Sequence, residues 1–168
     1  GMGTWLAVFD NGGDVVASIS KRPDLRPIVG ILDDHGDEIF RNADSIALEI
    51  DCDKEIVKAV FYYAEKYRKP VFAAVSNMSI AVERRDFLRF CSCFVCNQQE
   101  AGILFSEDYD SKTPEELRDI LAHHVQAAEI PRMVVTMGAQ GAVYAMQDGT
   151  LTAKGSVELG YVSAGTRV

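Results

Sequence analysis

Residues 91–105 read CSCFVCNQQEAGILF and carry the strongest structural signal in the chain. The first part of this stretch is a compact apolar run, which predicts a strand over 91–95. The second part predicts a helix that begins at Asn97. An asparagine followed three residues later by a glutamate forms a capping box, in which Asn97 and Glu100 satisfy each other's backbone amides. A buried strand that passes directly into a helix is typical of an α/β sheet protein.

The same alternation continues on both sides of this stretch. We predict strands over 45–50, 71–75, 91–95 and 133–137, and helices over 53–67, 80–90 and 113–129. The last helix has a clear beginning, because Thr113 can cap it, Pro114 suits its first position and Glu116 can complete a capping box. Strands that alternate with helices predict a mostly parallel sheet with right-handed crossovers.

Hairpins are expected at both ends of the chain. Two apolar-rich runs over 5–10 and 14–20 are separated by Asn-Gly-Gly, and residues of this kind tolerate the backbone of a tight turn. Runs over 143–146 and 151–154 are separated in the same way by Asp-Gly. An antiparallel hairpin is therefore predicted before the sheet and another after it.

The segment between the first hairpin and the sheet is predicted to be irregular. Residues 21–27 contain two prolines and three basic residues, which favours a loop, and residues 33–40 favour a short helix or turn. The three basic side chains could clamp an anionic substrate, or they could simply be solvated. They are Lys21, Arg22 and Arg26.

Composition and charge restrict the partners of this chain. With 168 residues, of which 48% are hydrophobic, residues 1–168 are expected to form a single domain with its own core. A formal charge of −8 disfavours binding to a nucleic acid. The longest apolar runs are strand-sized, so no membrane span is expected and a cytoplasmic location is predicted.

Three of the four cysteines form the pattern C-x-C-x-x-C at Cys91, Cys93 and Cys96. A structural zinc site needs four ligands, and no second cysteine pair or nearby histidine follows at a suitable spacing. Since Phe94 and Val95 lie among these cysteines, we interpret them as buried thiols of a core strand.

Two further groups of residues could bind a ligand. Thr136-x-Gly138-x-x-Gly141 either forms a turn between strands or lets the backbone approach a nucleotide, because glycine has no Cβ atom. Glu49 and Asp51 lie where the strand over 45–50 ends, which is the edge where open α/β sheets bind ligands. Either carboxylate could accept a hydrogen bond from a sugar hydroxyl or be solvated. Asp53 is expected to cap the next helix.

The order of the two motifs, Asn97-x-x-Glu100 and then Thr136-x-Gly138-x-x-Gly141, resembles the ribokinase-like (PfkB) carbohydrate kinase family, and especially its pseudouridine kinase and sugar kinase branch. The resemblance implies a three-layer α/β/α domain with a mostly parallel central sheet and terminal hairpins. It implies transfer of a phosphoryl group from ATP to a hydroxyl of a sugar or nucleoside. It further implies that Glu100 holds Mg²⁺ and that ATP is bound by Asn97, Thr136, Gly138 and Gly141.

In that family the catalytic base is an aspartate in a Gly-Ala-Gly-Asp segment. Here Ser163-Ala164-Gly165 can be aligned with the first three residues, which places Thr166 at the aspartate position. A threonine hydroxyl does not accept a proton near neutral pH as a carboxylate does. We therefore expect this chain to correspond to the middle of such a kinase and to be inactive or incomplete. The alternative is a non-catalytic α/β domain that binds a nucleotide or a protein.

Overall fold

The computed structural model describes residues 2–13, 15–83, 85–147 and 157–162. The strands are β1 (Thr4–Phe9), β2 (Val15–Lys21), β3 (Ile46–Glu49), β4 (Val71–Ala74), β5 (Cys93–Asn97), β6 (Arg132–Thr136), β7 (Ala142–Gln147) and β8 (Val157–Val162). The α-helices are α1 (Arg26–Asn42), α2 (Lys54–Lys66), α3 (Met78–Val82), α4 (Gln98–Phe105) and α5 (Pro114–Ala127). None of the helices in the described ranges is long and apolar enough to cross a bilayer.

The strands form two sheets. β1 and β2 make an antiparallel hairpin of their own, and the other six strands form one sheet in the order β3-β4-β5-β6-β7-β8. β3 to β6 run parallel, whereas β7 and β8 are antiparallel. The predicted α/β class with a mostly parallel sheet is confirmed, and so is the N-terminal hairpin. The strand predicted over 151–154 lies outside the described residues, and the strand that pairs with β7 is β8.

The two faces of the six-stranded sheet differ. Successive parallel strands are added in one direction, so right-handed crossovers place their connecting helices on the same face. On that face the side chains of β3 to β7 are buried; they include Leu48, Val71, Ala73, Phe94, Met133, Val135 and Val143. On the opposite face Phe72 is 42% exposed, and Ala47 and Ala74 are exposed as well. Since parallel sheets are usually covered on both sides, this apolar face can accept a third layer.

The loop predicted over 21–27 and the short helix predicted over 33–40 were wrong in extent, because a single helix, α1, covers Arg26–Asn42. Pro27 lies in the first turn of α1, where a missing N–H costs nothing because that group has no partner in the helix. Leu32, Gly36 and Phe40 form the buried stripe. The ring of Tyr63 on α2 occupies the space over Gly36, where a Cβ atom would lie 2.4 Å from it. Phe40 stacks on the same ring with centroids 5.3 Å apart.

The continuous helix predicted over 80–90 was also wrong. The chain forms the short helix α3 and then a 3₁₀ helix over Arg85–Phe90. A 3₁₀ helix brings residues three apart onto the same side. Phe87 and Phe90 consequently both pack against Phe61, with ring centroids 5.5 and 6.2 Å from it. The packing of these rings on Phe61 determines the local structure, although the amphipathic pattern of residues 80–90 favours a continuous helix.

The expectation that the clustered cysteines are buried thiols is confirmed, because Cys91, Cys93 and Cys96 are at most 5% exposed. Burial, followed by the nearby Cys93, raises the pKa of the Cys91 thiol to about 12. Burial, followed by the charge of Glu100, raises the pKa of Cys96. These thiols therefore stay protonated near neutral pH and serve as core side chains.

The capping box of α5 yields a stability prediction. The amide of Glu116 donates to Thr113 Oγ1 at 3.3 Å, and the Thr113 amide donates to Glu116 Oε2 at 2.9 Å. Thr113→Ala should lower the free energy of unfolding by about 1 kcal/mol, because it leaves an amide of the first turn without its acceptor. Urea unfolding measures this loss. Thr113→Ser keeps the hydroxyl and is expected to retain most of the stability; an equal loss in both variants would contradict the capping argument.

Candidate functional site

The start of α4 is held by the capping box that the sequence predicted. Asn97 is the last residue of β5 and the N-cap of α4. Its Oδ1 atom accepts a hydrogen bond from the Glu100 amide at 2.8 Å, and Glu100 Oε2 accepts one from the Asn97 amide at 2.7 Å. The box uses one oxygen of each side chain. The side-chain nitrogen of Asn97, Nδ2, and the second carboxylate oxygen of Glu100, Oε1, lie outside it.

The direction of α4 is fixed by contacts that the local sequence pattern does not predict. Gln98 Nε2 donates to the carbonyl oxygens of Tyr109 and Lys112, which ties the first turn of the helix to the following loop. That loop approaches the helix so closely that a Cβ atom on Gly102 would lie 2.6 Å from the Glu107 carbonyl oxygen. A glycine inside a predicted helix was the one signal in the sequence for this close approach.

The second motif forms a tight turn at the end of β6. Residues Gly138–Gln140 make a single 3₁₀ turn, in which the Gln140 amide donates to the Met137 carbonyl and the Gly141 amide to the Gly138 carbonyl, both at 3.1 Å. The Met137 amide also donates across the turn to the Gly141 carbonyl at 2.8 Å. Gly138 and Gly141 have φ angles of 55° and 103°, which favour glycine. A Cβ atom on Gly138 would meet no atom within 4 Å, so the surface outside the turn is open. Amides at the start of such a turn have no acceptor within it.

The sheet register brings these two motifs together. Asn97 and Thr136 are direct partners in the parallel ladder between β5 and β6. The Thr136 hydroxyl also donates to the Cys96 carbonyl oxygen at 3.4 Å. Because both strands end here, the first turn of α4 and the Gly138–Gly141 turn lie at the same carboxyl edge of the sheet, which is where open α/β sheets bind ligands.

The two acidic candidates at the end of β3, Glu49 within the strand and Asp51 just after it, differ in their surroundings. Glu49 is the exposed last residue of the strand. Partial burial, then the charge of Asp51, raises the pKa of Glu49; Glu100 raises it further, whereas a hydrogen bond from Ser76 opposes the shift. Glu49 is therefore within electrostatic range of Glu100.

Asp51 is only 5% exposed, and its carboxylate is paired with an arginine. Arg22 Nη2 donates to Asp51 Oδ2 at 2.8 Å, and Arg22 Nη1 donates to the Asp51 carbonyl oxygen at 2.9 Å. Arg26 is likewise paired, with Asp24 at 2.7 Å. The expectation that Asp53 caps α2 is wrong for its side chain, which lies at the N-cap position without a capping hydrogen bond.

The raised pKa of Glu49 predicts how the stability depends on pH. Because the folded pKa lies above the ordinary value of 4.5, Glu49 contributes stability below that value, and the contribution is lost as the pH rises through the folded pKa. Glu49→Gln removes this titration, so the variant should gain stability relative to the wild type as the pH rises from below 4.5 to above the folded pKa. Urea unfolding across this range measures the difference, and parallel curves would contradict it. Ser76→Ala should raise the Glu49 pKa further, which carboxyl NMR titration can follow.

The donor set at this edge fits Mg²⁺ that arrives with a nucleotide. Mg²⁺ is commonly held by one or two carboxylates together with waters and phosphate oxygens. Glu100 offers the carboxylate oxygen that the capping box does not use, and Glu49 is within electrostatic range of Glu100. No group of three or more acidic, histidine or cysteine residues within the described ranges could hold a metal by itself. The segment that contains Thr166 lies outside the described residues.

The sequence of this chain is similar to those of known proteins. Residues 24–158 match the sequence model of the pfkB family carbohydrate kinases. Guanosine-inosine kinase of Exiguobacterium acetylicum is 31% identical over 144 residues, which are 86% of this chain and 46% of that protein.

Solved structures of similar proteins share the fold. Arabidopsis thaliana ribokinase, solved with ribose and ATP, superposes with a TM-score of 0.65 at 19% identity, over 86% of this chain and 45% of that one. A carbohydrate kinase from Agrobacterium tumefaciens gives 0.61 at 18% identity, over 87% and 47%. The chain spans about half the length of these relatives. From its sequence match and its ribokinase fold, the chain belongs to the pfkB family of carbohydrate kinases.

Proposed function

We propose that this chain carries the nucleotide-binding part of an ATP-dependent kinase that phosphorylates a hydroxyl of a sugar or nucleoside. The observation that carries the proposal is the pairing of Asn97 with Thr136, which sets the start of α4 beside the Gly138–Gly141 turn. Both motifs then face one ligand at the carboxyl edge of the sheet. We also propose that residues 1–168 act as one structural unit and that the protein works in the cytoplasm.

Each motif has a distinct task in binding ATP. The free amides and the positive end of the α4 dipole attract phosphate oxygens. The Gly138–Gly141 turn lets the backbone approach the nucleotide, because neither glycine carries a side chain that would block it. Glu100 would hold Mg²⁺, which would supply positive charge that neutralises the phosphates. The protein contributes to transfer of the phosphoryl group by positioning the nucleotide and by placing charged groups beside its phosphates.

The acceptor sugar or nucleoside is assigned to the β3 side of the same edge. Glu49 is exposed there and can accept a hydrogen bond from a hydroxyl, whereas the carboxylate of Asp51 is already paired with Arg22. Thr166 aligns with the aspartate base of the family, and a hydroxyl is a poor proton acceptor. We therefore propose that the chain retains nucleotide binding better than turnover.

Calorimetry and a kinase assay test this proposal together. The chain should bind ATP in the presence of Mg²⁺ and bind it more weakly after EDTA treatment. A coupled assay with ribose, fructose, pseudouridine, guanosine and inosine should show slow turnover even when ATP and Mg²⁺ saturate the binding site. Absence of nucleotide binding by the folded chain would refute the proposed site, and rapid turnover would refute the assignment of Thr166.

One observation favours a second function, which is binding to another polypeptide. The sheet face around Phe72 is apolar and partly exposed, and parallel sheets are usually covered on both sides. Sedimentation analysis of the chain, with and without a charged substitution such as Phe72→Lys, tests this function. Self-association or complex formation that Phe72→Lys abolishes would support it.

A further inference from the structure

The β1–β2 hairpin lacks support of its own. It forms a separate two-stranded sheet, and all seven side chains of β2 are exposed. Trp5 and Phe9 on β1 are also more than half exposed, although their rings contact each other. A two-stranded hairpin in water is marginally stable at best, so its position depends on how its base is attached to the rest of the protein.

Arg22 supplies such an attachment. It follows Lys21, the last residue of β2, and its guanidinium binds two different groups of Asp51 at 2.8 and 2.9 Å. These groups lie on a single residue, so the two hydrogen bonds fix the orientation of the guanidinium as well as its distance. Charge-assisted bonds of this kind are about twice as strong as neutral ones.

Asp51 is well placed to receive this contact. It is the one charged residue among the buried side chains of the described ranges, at 5% exposure. It lies two residues beyond Glu49, which is in register with Ala74 at the carboxyl end of β4. The base of the hairpin is therefore fastened to the same edge of the sheet as Glu49, Asn97 and Glu100.

We propose that Arg22 is a positioning residue, whose paired hydrogen bonds to Asp51 hold the β1–β2 hairpin beside the carboxyl edge of the sheet. The anchoring follows from the contacts themselves. Its role for the acceptor substrate rests on the proposed function, which assigns that substrate to the β3 side of the edge. The hairpin is held on this same side. Asp51 thus serves the hairpin and leaves Glu49 as the exposed acid of β3.

The only tryptophan of the chain, Trp5, lies in the hairpin and reports directly on its motion. Arg22→Ala should lower the fluorescence anisotropy of Trp5 and speed amide hydrogen exchange over residues 4–21 by about tenfold or more, the effect of losing hydrogen bonds to a charged group. Arg22→Lys should give an intermediate result, since an ammonium group lacks the fork that binds two acceptors at once.

Arg26→Ala is the matched control. Arg26 lies four residues from Arg22 and is also paired with an aspartate, but both partners are exposed and close in sequence. This control should leave Trp5 anisotropy and hairpin exchange unchanged. Wild-type behaviour of Arg22→Ala, or equal changes in both variants, would overturn the proposal. Should Arg22→Ala fail to fold, Asp51→Asn decides the question, because it keeps the backbone acceptor and should loosen the hairpin partially.

Nucleotide binding separates this inference from the proposed function. In Arg22→Ala the dissociation constant for ATP with Mg²⁺ should stay within about twofold of the wild type, because the phosphate-binding elements follow β5 and β6. If turnover is measurable, the KM for the acceptor should rise while the KM for ATP stays constant. A wild-type chain that binds no ATP would refute the proposed function, while the Trp5 comparison would still decide the anchoring.

Discussion

Glu100→Gln is expected to weaken binding of Mg²⁺-ATP by about 10- to 100-fold while the chain stays folded. The substitution removes the negative charge that we propose holds the metal. It keeps a side-chain oxygen that can accept the hydrogen bond from the Asn97 amide, now made at 2.7 Å. The capping box therefore persists, and the free energy of unfolding should change little. Calorimetric titration with ATP at fixed Mg²⁺ measures the loss of affinity.

Glu116→Gln is the matched control for this experiment. Glu116 occupies the same capping-box position at the start of α5, where its carboxylate accepts a hydrogen bond from the Thr113 amide. It does not follow a strand of the sheet, so the same change of charge should leave nucleotide affinity unaltered. Equal loss of affinity in the two variants would indicate a general effect of charge and contradict a metal-binding role for Glu100.

Phe94→Ala is expected to destabilise the protein by about 3–5 kcal/mol. Phe94 is fully buried in β5, an interior strand that pairs with β4 and β6. Truncation removes apolar contacts and leaves a cavity between the sheet and its helices. Since domains are typically stable by about 5–15 kcal/mol in total, this is a large fraction. Urea unfolding followed by circular dichroism measures it.

Phe90→Ala is the matched control in the same region. Phe90 is 58% exposed, so its truncation opens no closed cavity. We expect a loss of about 1 kcal/mol or less, mainly from the contact with Phe61. Similar losses for the two phenylalanines would show that Phe94 is not part of a tightly packed core.

Much of the architecture could be predicted from local pattern. Cap chemistry and the spacing of apolar residues act within a few positions, so the sequence predicted the two capping boxes, the first hairpin and the strands β3 to β6. Boundaries were less accurate: β5 begins at Cys93, two residues later than predicted. Helix α1 was shortened in the prediction because its N-terminal proline was interpreted as a helix breaker.

Predictions for the candidate site divide in the same way. The sequence identified Asn97, Glu100 and the Gly138–Gly141 turn as elements that follow strands, and parallel pairing brings such elements to one edge. It offered Glu49 and Asp51 as equivalent candidates, because both are acidic and two residues apart. Burial and pairing with Arg22 distinguish them, and neither property appears in the local pattern.

The sequence by itself determined the family, the mostly parallel sheet and the positions of two motifs, the capping box that begins at Asn97 and the glycine turn that follows Thr136. All of these depend on residue type and short spacing. Tertiary structure alone decided the contacts between distant residues. Arg22 and Asp51 are separated by 29 positions, and Phe61 packs on rings of a 3₁₀ helix that its own sequence does not predict. Such contacts form because burial and charge pairing favour groups that the whole fold brings together, whatever their separation along the chain.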